Sequence, residues 1–429
     1  MPENAFELTR RIFLDRVVQA AALGGLAQVA PWAMASAASA AEPVGRERIR
    51  LGLIGTGDRG RALIRNILQT RNCTVAAICD DYAPHLDKGR ALLPAGTPAF
   101  ADHRAMLDAG GIDAVVIATP LHVHAVQTFD AMDAGLHVWC EKAMARTIAD
   151  CTAMVARAKA AGRVLQIGHQ RLFNPTYLNA LARARAGEIG VITQVRASWH
   201  RNRDWRRAVP PGSDLERKLN WRLYRESSAG LMTELATHQI QVANWFFGSV
   251  PTRVMGSGSI CFWKDGREVY DHVALIFDYP GGRKLVYTSL LNNARYGCEE
   301  QIMGHKGSIE PELGRIYAEA PPRVPGLQQL RRDVAKGQRR TIPIGGATWF
   351  PELPVTTPGE SLGWGEYDET MLQFEAFGEA VKANRPVPGL LREAYHASVA
   401  SLLGEMAMDE GQAIAWPAEL TLEEAPAAV

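Results

Sequence analysis

The apolar positions change rhythm once along the chain, near residue 170. From Arg48 to about Gly168, short unbroken apolar runs alternate with stretches of helical spacing, as in a parallel sheet covered on both faces. The runs are Arg48–Ile54, Cys73–Cys79, Asp113–Ala118, His137–Cys140 and Val164–Gly168; helices follow the third, to about Ala134, and the fourth, over about Ile148 to Ala161. Beyond Asn174 the segments Val191–Ala197, His272–Tyr279 and Lys284–Leu290 alternate with period two, as strands do when one face is buried. The spacing predicts a helix from about Gly230 to Phe247 and helical structure again from about Glu369 to Met408.

This grammar predicts an α/β Rossmann-type doubly wound parallel sheet over 46–170 and, over 171–367, an α+β domain on a large, mostly antiparallel open sheet. Residues 368–429 are expected as helices packing back on the first domain. A sheet with one free face predicts a homo-oligomer formed through it. Pro321 to Gly363, rich in Pro, Gly and Arg, reads as a surface excursion or lid.

Composition narrows the function. With 429 residues and a net charge of +1, the chain has room for two domains and no bias toward nucleic acid or an anionic membrane. Thr9-Arg10-Arg11-Ile12-Phe13-Leu14, the Ala- and Leu-rich stretch to Ala30 and Ala38-Ser39-Ala40 resemble a twin-arginine export signal over 1–41. That signal implies a periplasmic protein exported already folded, with no membrane span once it is removed. The six cysteines show neither a disulfide framework nor a metal-ligand spacing, so no metal is expected.

The candidate chemistry begins where the first run ends, at Gly55-Thr56-Gly57-Asp58-Arg59-Gly60, a G-x-G-x-x-G turn into a helix. Gly55 permits the turn, Gly57 lets backbone approach a pyrophosphate, and Gly60 lets helix and strand pack closely. Asp80 ends the second run about 20 residues on, where a carboxylate reaches ribose hydroxyls and its charge favours NAD over NADP. Ligands bind outside the carboxyl ends of such strands, so Thr119, Pro120, His122, Glu141 and Lys142 point to one crevice. Within it His122 is expected to line the nicotinamide pocket and His124 to be structural.

Oxidising an alcohol needs a base for the O–H proton, a donor for the developing alkoxide and a hydride acceptor. Lys142 suits the second role and His238 the first, with Glu234 one helical turn earlier placed to orient the imidazole. The competing reading pairs Lys142 with Glu141 and leaves His238 and Glu234 as ordinary helix residues. Arg171 and Asn174 are assigned to cofactor or substrate, with a helix-start role for Asn174-Pro175 as the alternative. Trp199–Arg207 and Trp221–Arg225 mix rings and guanidinium groups, which suits a carbohydrate face but equally an insertion or subunit contact.

These motifs, with Gly168-His169-Gln170-Arg171 and Gly230-Leu231-Met232-x-Glu234-x-x-x-His238, together resemble the glucose-fructose oxidoreductase and inositol dehydrogenase family (Gfo/Idh/MocA). The resemblance implies NAD(P) on the first group, a catalytic lysine from an E-K-P motif at Lys142, and the histidine at His238 supported by the acidic residue four before it. Ala143, Glu234 and Gln241 depart from the usual proline, aspartate and aspartate, which bears on the shape of the substrate pocket. The expected activity is hydride transfer between a sugar or glycoside secondary hydroxyl and a tightly held nicotinamide. The alternative is a glycosidase that oxidises, eliminates, adds water and reduces again; a non-catalytic sugar-binding protein fits the retained Lys142 and His238 poorly.

Overall fold

The computed structural model describes residues 48–319, 336–337, 359–363, 365 and 368–423; the expected export segment and most of the 321–363 excursion lie outside them. The first sheet joins β1 (Ile49–Ile54), β2 (Cys73–Cys79), β3 (Ala99–Phe100), β4 (Ala114–Ile117), β5 (His137–Cys140) and β6 (Leu165–Ile167). Every pair is parallel and the order is β3-β2-β1-β4-β5-β6, so the strand order reverses between β1 and β4. The runs are continuously apolar because both faces are covered. Leu51, Leu53, Ala114 and Val116 pack with Leu63, Ile64 and Ile67 of α1 (Asp58–Gln69). Ile54, Val115 and Ile117 face the other way, with Ala131 of α4 and Met154 and Val155 of α5. Between them run α2 (Ala83–Arg90), α3 (His103–Ala109), α4 (His124–Asp133) and α5 (Ile148–Ala161), the last capped by Thr147 accepting from the Asp150 N–H.

Among the described residues the second sheet has nine strands, β7 (Ile192–His200), β8 (Arg253–Ser259), β9 (His272–Asp278), β10 (Lys284–Leu290), β11 (Cys298–Gly304), β12 (Gly307–Glu310), β13 (Arg315–Ala318), β14 (Glu360–Ser361) and β15 (Ile414–Ala415), in the order β14-β13-β12-β11-β7-β10-β9-β8-β15. All its pairs are antiparallel except β7 with β10. Alternate residues such as Val195, Leu275, Phe277, Leu285 and Ile302 form the core with α7 (Thr237–Phe247), while Arg196, His272, Ile276 and Lys284 stand on the open face. α6 (Pro175–Arg185) begins at Asn174, whose side chain accepts from the Thr176 and Tyr177 N–H groups; the helix-start reading of Asn174-Pro175 is the one the structure adopts.

The last segment divides between the domains. α8 (Glu369–Lys382) packs on α1, its Phe374 and Phe377 joining Leu51 and Leu63 in the first core. α9 (Leu390–Glu410) does not simply pack back on the first domain: it lies against β8 and α7 as well as α5 and β6, and β15 then adds an edge strand to the second sheet. The reason is its composition, buried almost all round through Tyr395, Val399, Leu402, Leu403 and Ala407, so neither domain alone can cover it. Arg146 clamps it with a bidentate pair to Glu405 at 2.9 and 3.0 Å, and Ser398 Oγ accepts from the Met144 N–H. Among the described residues no helix is long and apolar enough to cross a membrane.

Candidate active site

A cleft of about 1290 Å³ opens at the carboxyl ends of the parallel strands, walled on the far side by β7 and the segment after it. Its floor is the glycine turn. Gly55 has φ +94°, and a Cβ there would stand 2.7 Å from the Ala118 carbonyl oxygen. At Gly60 a Cβ would stand 1.8 Å from the Gly55 oxygen, so only glycine lets α1 sit this close to β1. Gly57 faces the cleft with space in front of it, where a Cβ would meet only the His85 ring at 3.8 Å. Among the described residues no side chain caps α1, which leaves its first N–H groups for an anion. Asp80 ends β2 with Oδ2 accepting from the Thr56 N–H at 2.7 Å and Oγ1 at 3.1 Å, and Oδ1 from the Tyr82 N–H at 2.9 Å. The turn and the carboxylate are thus locked to each other, a cradle that fits a dinucleotide. Neither Lys88 nor Arg90 lines the cleft, and Arg90 pairs with Asp87 at 3.5 Å.

Of the residues expected at the coenzyme, Gly55, Gly57, Asp58, Arg59, Asp80, Thr119, Pro120, His122, Glu141 and Lys142 all line this cleft. Thr56 and Gly60 lie beneath it as supports, both buried. Arg171 is elsewhere and is corrected: its guanidinium is buried in the second domain, 3.0 Å from Glu300 and 2.7 Å from Glu312, over the Tyr177 ring. Cys298, Glu300 and Glu312 come within 4.8 Å of one another there, a spacing a metal could use, but the Arg171 cation already pairs with both carboxylates. Arg171 was misplaced because its partners lie more than a hundred positions along the chain.

The strand ends aim the chemistry. Glu141 accepts from Arg59 Nε at 2.6 Å and from the Lys142 N–H at 3.0 Å, and the Lys142–Ala143 peptide is cis where the family usually has proline. Lys142 Nζ donates to the carbonyls of Glu234 at 2.7 Å and Thr233 at 3.3 Å. An ammonium has three protons, so one remains for the cleft. Burial lowers its pKa, opposed by Glu234 and Glu141. His124 is structural, its ring held between the Thr119 and Ala143 carbonyls, while His122 is exposed on the cleft wall.

His238, at the start of α7, is buried with its edge on the cleft, between the Trp199 ring at 5.3 Å and the His169 ring at 5.9 Å. Burial, then the Lys142 ammonium and Arg171, hold its pKa well below the ordinary imidazole value, so the ring is a neutral acceptor. Glu234 does not orient it. Met232–Ala236 form a wide π-type turn, which inserts one residue and swings Glu234 about 100° around the axis from the position regular spacing gives. Its carboxylate instead accepts from Arg222 Nε at 2.7 Å and Ser228 Oγ at 3.4 Å. Burial pushes the Glu234 pKa up, but Arg222 and Lys142 outweigh it and the net shift is downward, so the group is an anion.

The aromatic and arginine-rich stretch forms the far wall and reaches across. Arg207 pairs with Asp58 at 2.6 Å, and Lys218 Nζ pairs with Asp81 Oδ2 at 3.0 Å and donates to its carbonyl at 3.1 Å. Both ties join the second domain to the glycine-turn side of the cleft. The segment between them is braced internally, Arg207 N–H donating to Asn220 Oδ1 at 2.7 Å and Arg206 Nε to Asp265 at 3.3 Å. Sequence reasoning singled out Arg207 but not Lys218 or His85, the third residue of α2, which no motif marks.

A glycine-turn cradle beneath strand ends that present a lysine, faced by a histidine from a sheet domain, defines a dinucleotide-dependent oxidoreductase. Residues 49–169 match the oxidoreductase family with NAD-binding Rossmann fold, and 177–310 match the GFO/IDH/MocA C-terminal domain. The chain belongs to the Gfo/Idh/MocA family. It is 28% identical over 348 residues to an inositol 2-dehydrogenase of Acidothermus cellulolyticus, covering 79% of this chain and 94% of that one. An inositol 2-dehydrogenase of Saccharopolyspora erythraea is 27% identical over 274 residues, 62% and 74% of the two chains. The fold is similar to an aldose-aldose oxidoreductase from Caulobacter crescentus complexed with glycerol, with TM-score 0.67, 20% identity and 86% and 100% coverage. A levoglucosan dehydrogenase in complex with NADH and L-sorbose gives TM-score 0.66, 20% identity and 87% and 100% coverage.

Proposed function

We propose that the protein transfers hydride between a secondary hydroxyl of a sugar or glycoside and a nicotinamide that stays bound between turnovers. The observation that carries this is the convergence of a carbonyl-anchored Lys142 ammonium and a neutral His238 imidazole, without a hydrogen bond among the described residues, over the mouth of the glycine-turn cradle. Bound NAD would supply the hydride acceptor, held by the first turn of α1, Gly57 and Asp80. His238 takes the hydroxyl proton as the C–H hydride leaves, and Lys142 donates to the oxygen on which charge builds. Arg222 and Glu234 neutralise each other beside that ammonium.

Retention of the coenzyme is supported by the two ion pairs that cross the cleft, Arg207 with Asp58 and Lys218 with Asp81. Export through the twin-arginine route to the periplasm, read from residues 9–41, makes retention necessary, because a released dinucleotide would be lost. The same strap suits a redox-neutral glycosidase cycle, in which the hydride returns before anything leaves. Association of copies through the open face of the second sheet is supported by its half-buried or exposed Met255, Ile276, Val286 and Met303.

The test is protein as purified, denatured and analysed for nicotinamide, with native protein offered sugars and a p-nitrophenyl glycoside without added coenzyme. Bound NAD that is reduced by a sugar and reoxidised by a keto acceptor supports the oxidoreductase, and catalytic release of nitrophenol supports the glycosidase. Lys142→Ala should abolish either while keeping the coenzyme; turnover that survives this change removes the lysine from the mechanism.

A further inference from the structure

Among the described residues the cleft holds seven arginines. Five of them, Arg59, Arg206, Arg207, Arg217 and Arg222, each hold a carboxylate of the protein. Arg201 and Arg203 make no ion pair among the described residues. Their place is specific. Arg201 follows directly on β7, its backbone N–H donating to the Leu290 carbonyl at 2.9 Å, so the residue is carried by the sheet rather than by a free loop. Its guanidinium stacks on the Trp199 indole at 5.0 Å, and the His238 ring lies 5.3 Å from the same indole. One monosaccharide-sized molecule can therefore reach both.

Like charges gathered without counter-charges are costly. Burial and the neighbouring Arg203 and Arg222 push the Arg201 guanidinium below its ordinary pKa, although Cys298 and Tyr287 oppose this. Arg222 is already neutralised by Glu234, and Lys142 contributes a further positive charge at the reaction centre. The coenzyme does not supply the missing anion here, because the cradle for its phosphates is at the N-terminus of α1, where Arg59 and Arg207 are already paired. Among the described residues no carboxylate supplies that charge, and the molecule being oxidised is the source the geometry offers.

We propose that Arg201, backed by Arg203, is the specificity determinant for an acidic sugar, a monosaccharide unit carrying a carboxylate, sulfate or phosphate group on the side away from the oxidised carbon. A planar fork whose N–H donors make no side-chain hydrogen bond among the described residues suits such oxyanions; the Trp199 indole holds it in place and also carries the Arg171 guanidinium at 5.5 Å. This rests on the sugar oxidoreductase reading and names its substrate class.

The experiment is calorimetric titration of NADH-loaded protein, which cannot oxidise an alcohol, with glucose, glucuronate, glucose 6-sulfate and glucose 6-phosphate, so that binding is read without turnover; oxidation is then followed separately on the NAD-loaded protein. At least one acidic sugar should bind on the order of tenfold to a hundredfold tighter than glucose, the range of a charge-assisted hydrogen-bond pair. The acid that binds best identifies the anion, and the preference should shrink as salt is added. Arg201→Gln should reduce the acid-to-glucose ratio toward one while NAD stoichiometry is kept, and Arg201→Lys should restore part of it. Equal affinity for glucose and all three acids, or a ratio unchanged in Arg201→Gln, overturns the assignment. If an acidic sugar binds through Arg201 but is never oxidised, the subsite stands and the dehydrogenase reading fails; if glucose is oxidised and no acid is preferred, the reverse holds.

Discussion

The pairing of Glu234 with Arg222, rather than with His238, leads to a double-mutant cycle with opposite expectations for the two arrangements. Removing one partner of a fully buried pair costs about 3–5 kcal/mol, whereas an exposed pair is worth under about 1 kcal/mol. Here the carboxylate side chain is 12% exposed and the guanidinium 31%. Glu234→Gln should therefore cost about 2 kcal/mol in kcat/KM, roughly thirtyfold, by leaving an uncompensated cation beside Lys142. In an Arg222→Met background the same change should cost under about 0.5 kcal/mol, because the charge it balanced is gone. The pH profile gives a second reading of the same cycle. Glu234 raises the Lys142 pKa and Arg222 lowers it, so the alkaline limb, where the ammonium is lost, should move to lower pH in Glu234→Gln and to higher pH in Arg222→Met. Single-turnover reduction of the bound nicotinamide, followed by its absorbance across sugar concentration and pH, measures both. An undiminished cost of Glu234→Gln without Arg222, with limbs that do not separate, would show that the carboxylate acts on the imidazole after all.

Three further outcomes are expected. Gly60→Ala forces a methyl into the Gly55 carbonyl and should destabilise by about 1–3 kcal/mol while losing bound dinucleotide, read by thermal melting and nicotinamide content. Asp58→Asn combined with Lys218→Met removes both ties across the cleft; partly exposed pairs are worth about 0.2–1 kcal/mol each, so coenzyme release measured by trapping should quicken by up to about thirtyfold, and an unchanged rate means the strap does not retain it. Burial, then Lys142 and Arg171, lower the His169 pKa from 6.5 to about 3, so between those values the unfolded chain binds a proton that the folded one refuses, and stability is lost as pH falls through that window. His169→Gln should make this acid slope shallower by up to about 1.4 kcal/mol per pH unit in denaturant melts, and equal slopes would show that His169 is protonated in the native state.

What the sequence discloses is what local pattern can encode. The glycine turn, the uninterrupted runs of β1, β2, β4 and β5 and the period-two strands β9 and β10 are one-dimensional signals, and Lys142 and His238 were found because each follows such a signal at a fixed offset. The turn at Met232–Ala236 escaped because a one-residue widening of a helix leaves no residue type behind it, and the same spacing then assigned Glu234 to the wrong neighbour. Arg171 escaped for a different reason: its charge is balanced by Glu300 and Glu312, brought to it only when β11 pairs with β7. Lys218 and Asp81 likewise meet across the cleft from 137 positions apart.

Helix α9 bears on how molecules enter and leave. It is wedged against both sheets and riveted by Arg146 and Glu405, so the two halves of the molecule share one internal beam. A jaw built on a common beam cannot swing open without breaking it. Traffic through the cleft must then depend on the thin cross-strap from Arg207 to Lys218, whose ties to the opposite wall are a few exposed charges. The motion that a turnover requires is thereby left to the part of the protein that is least expensive to move.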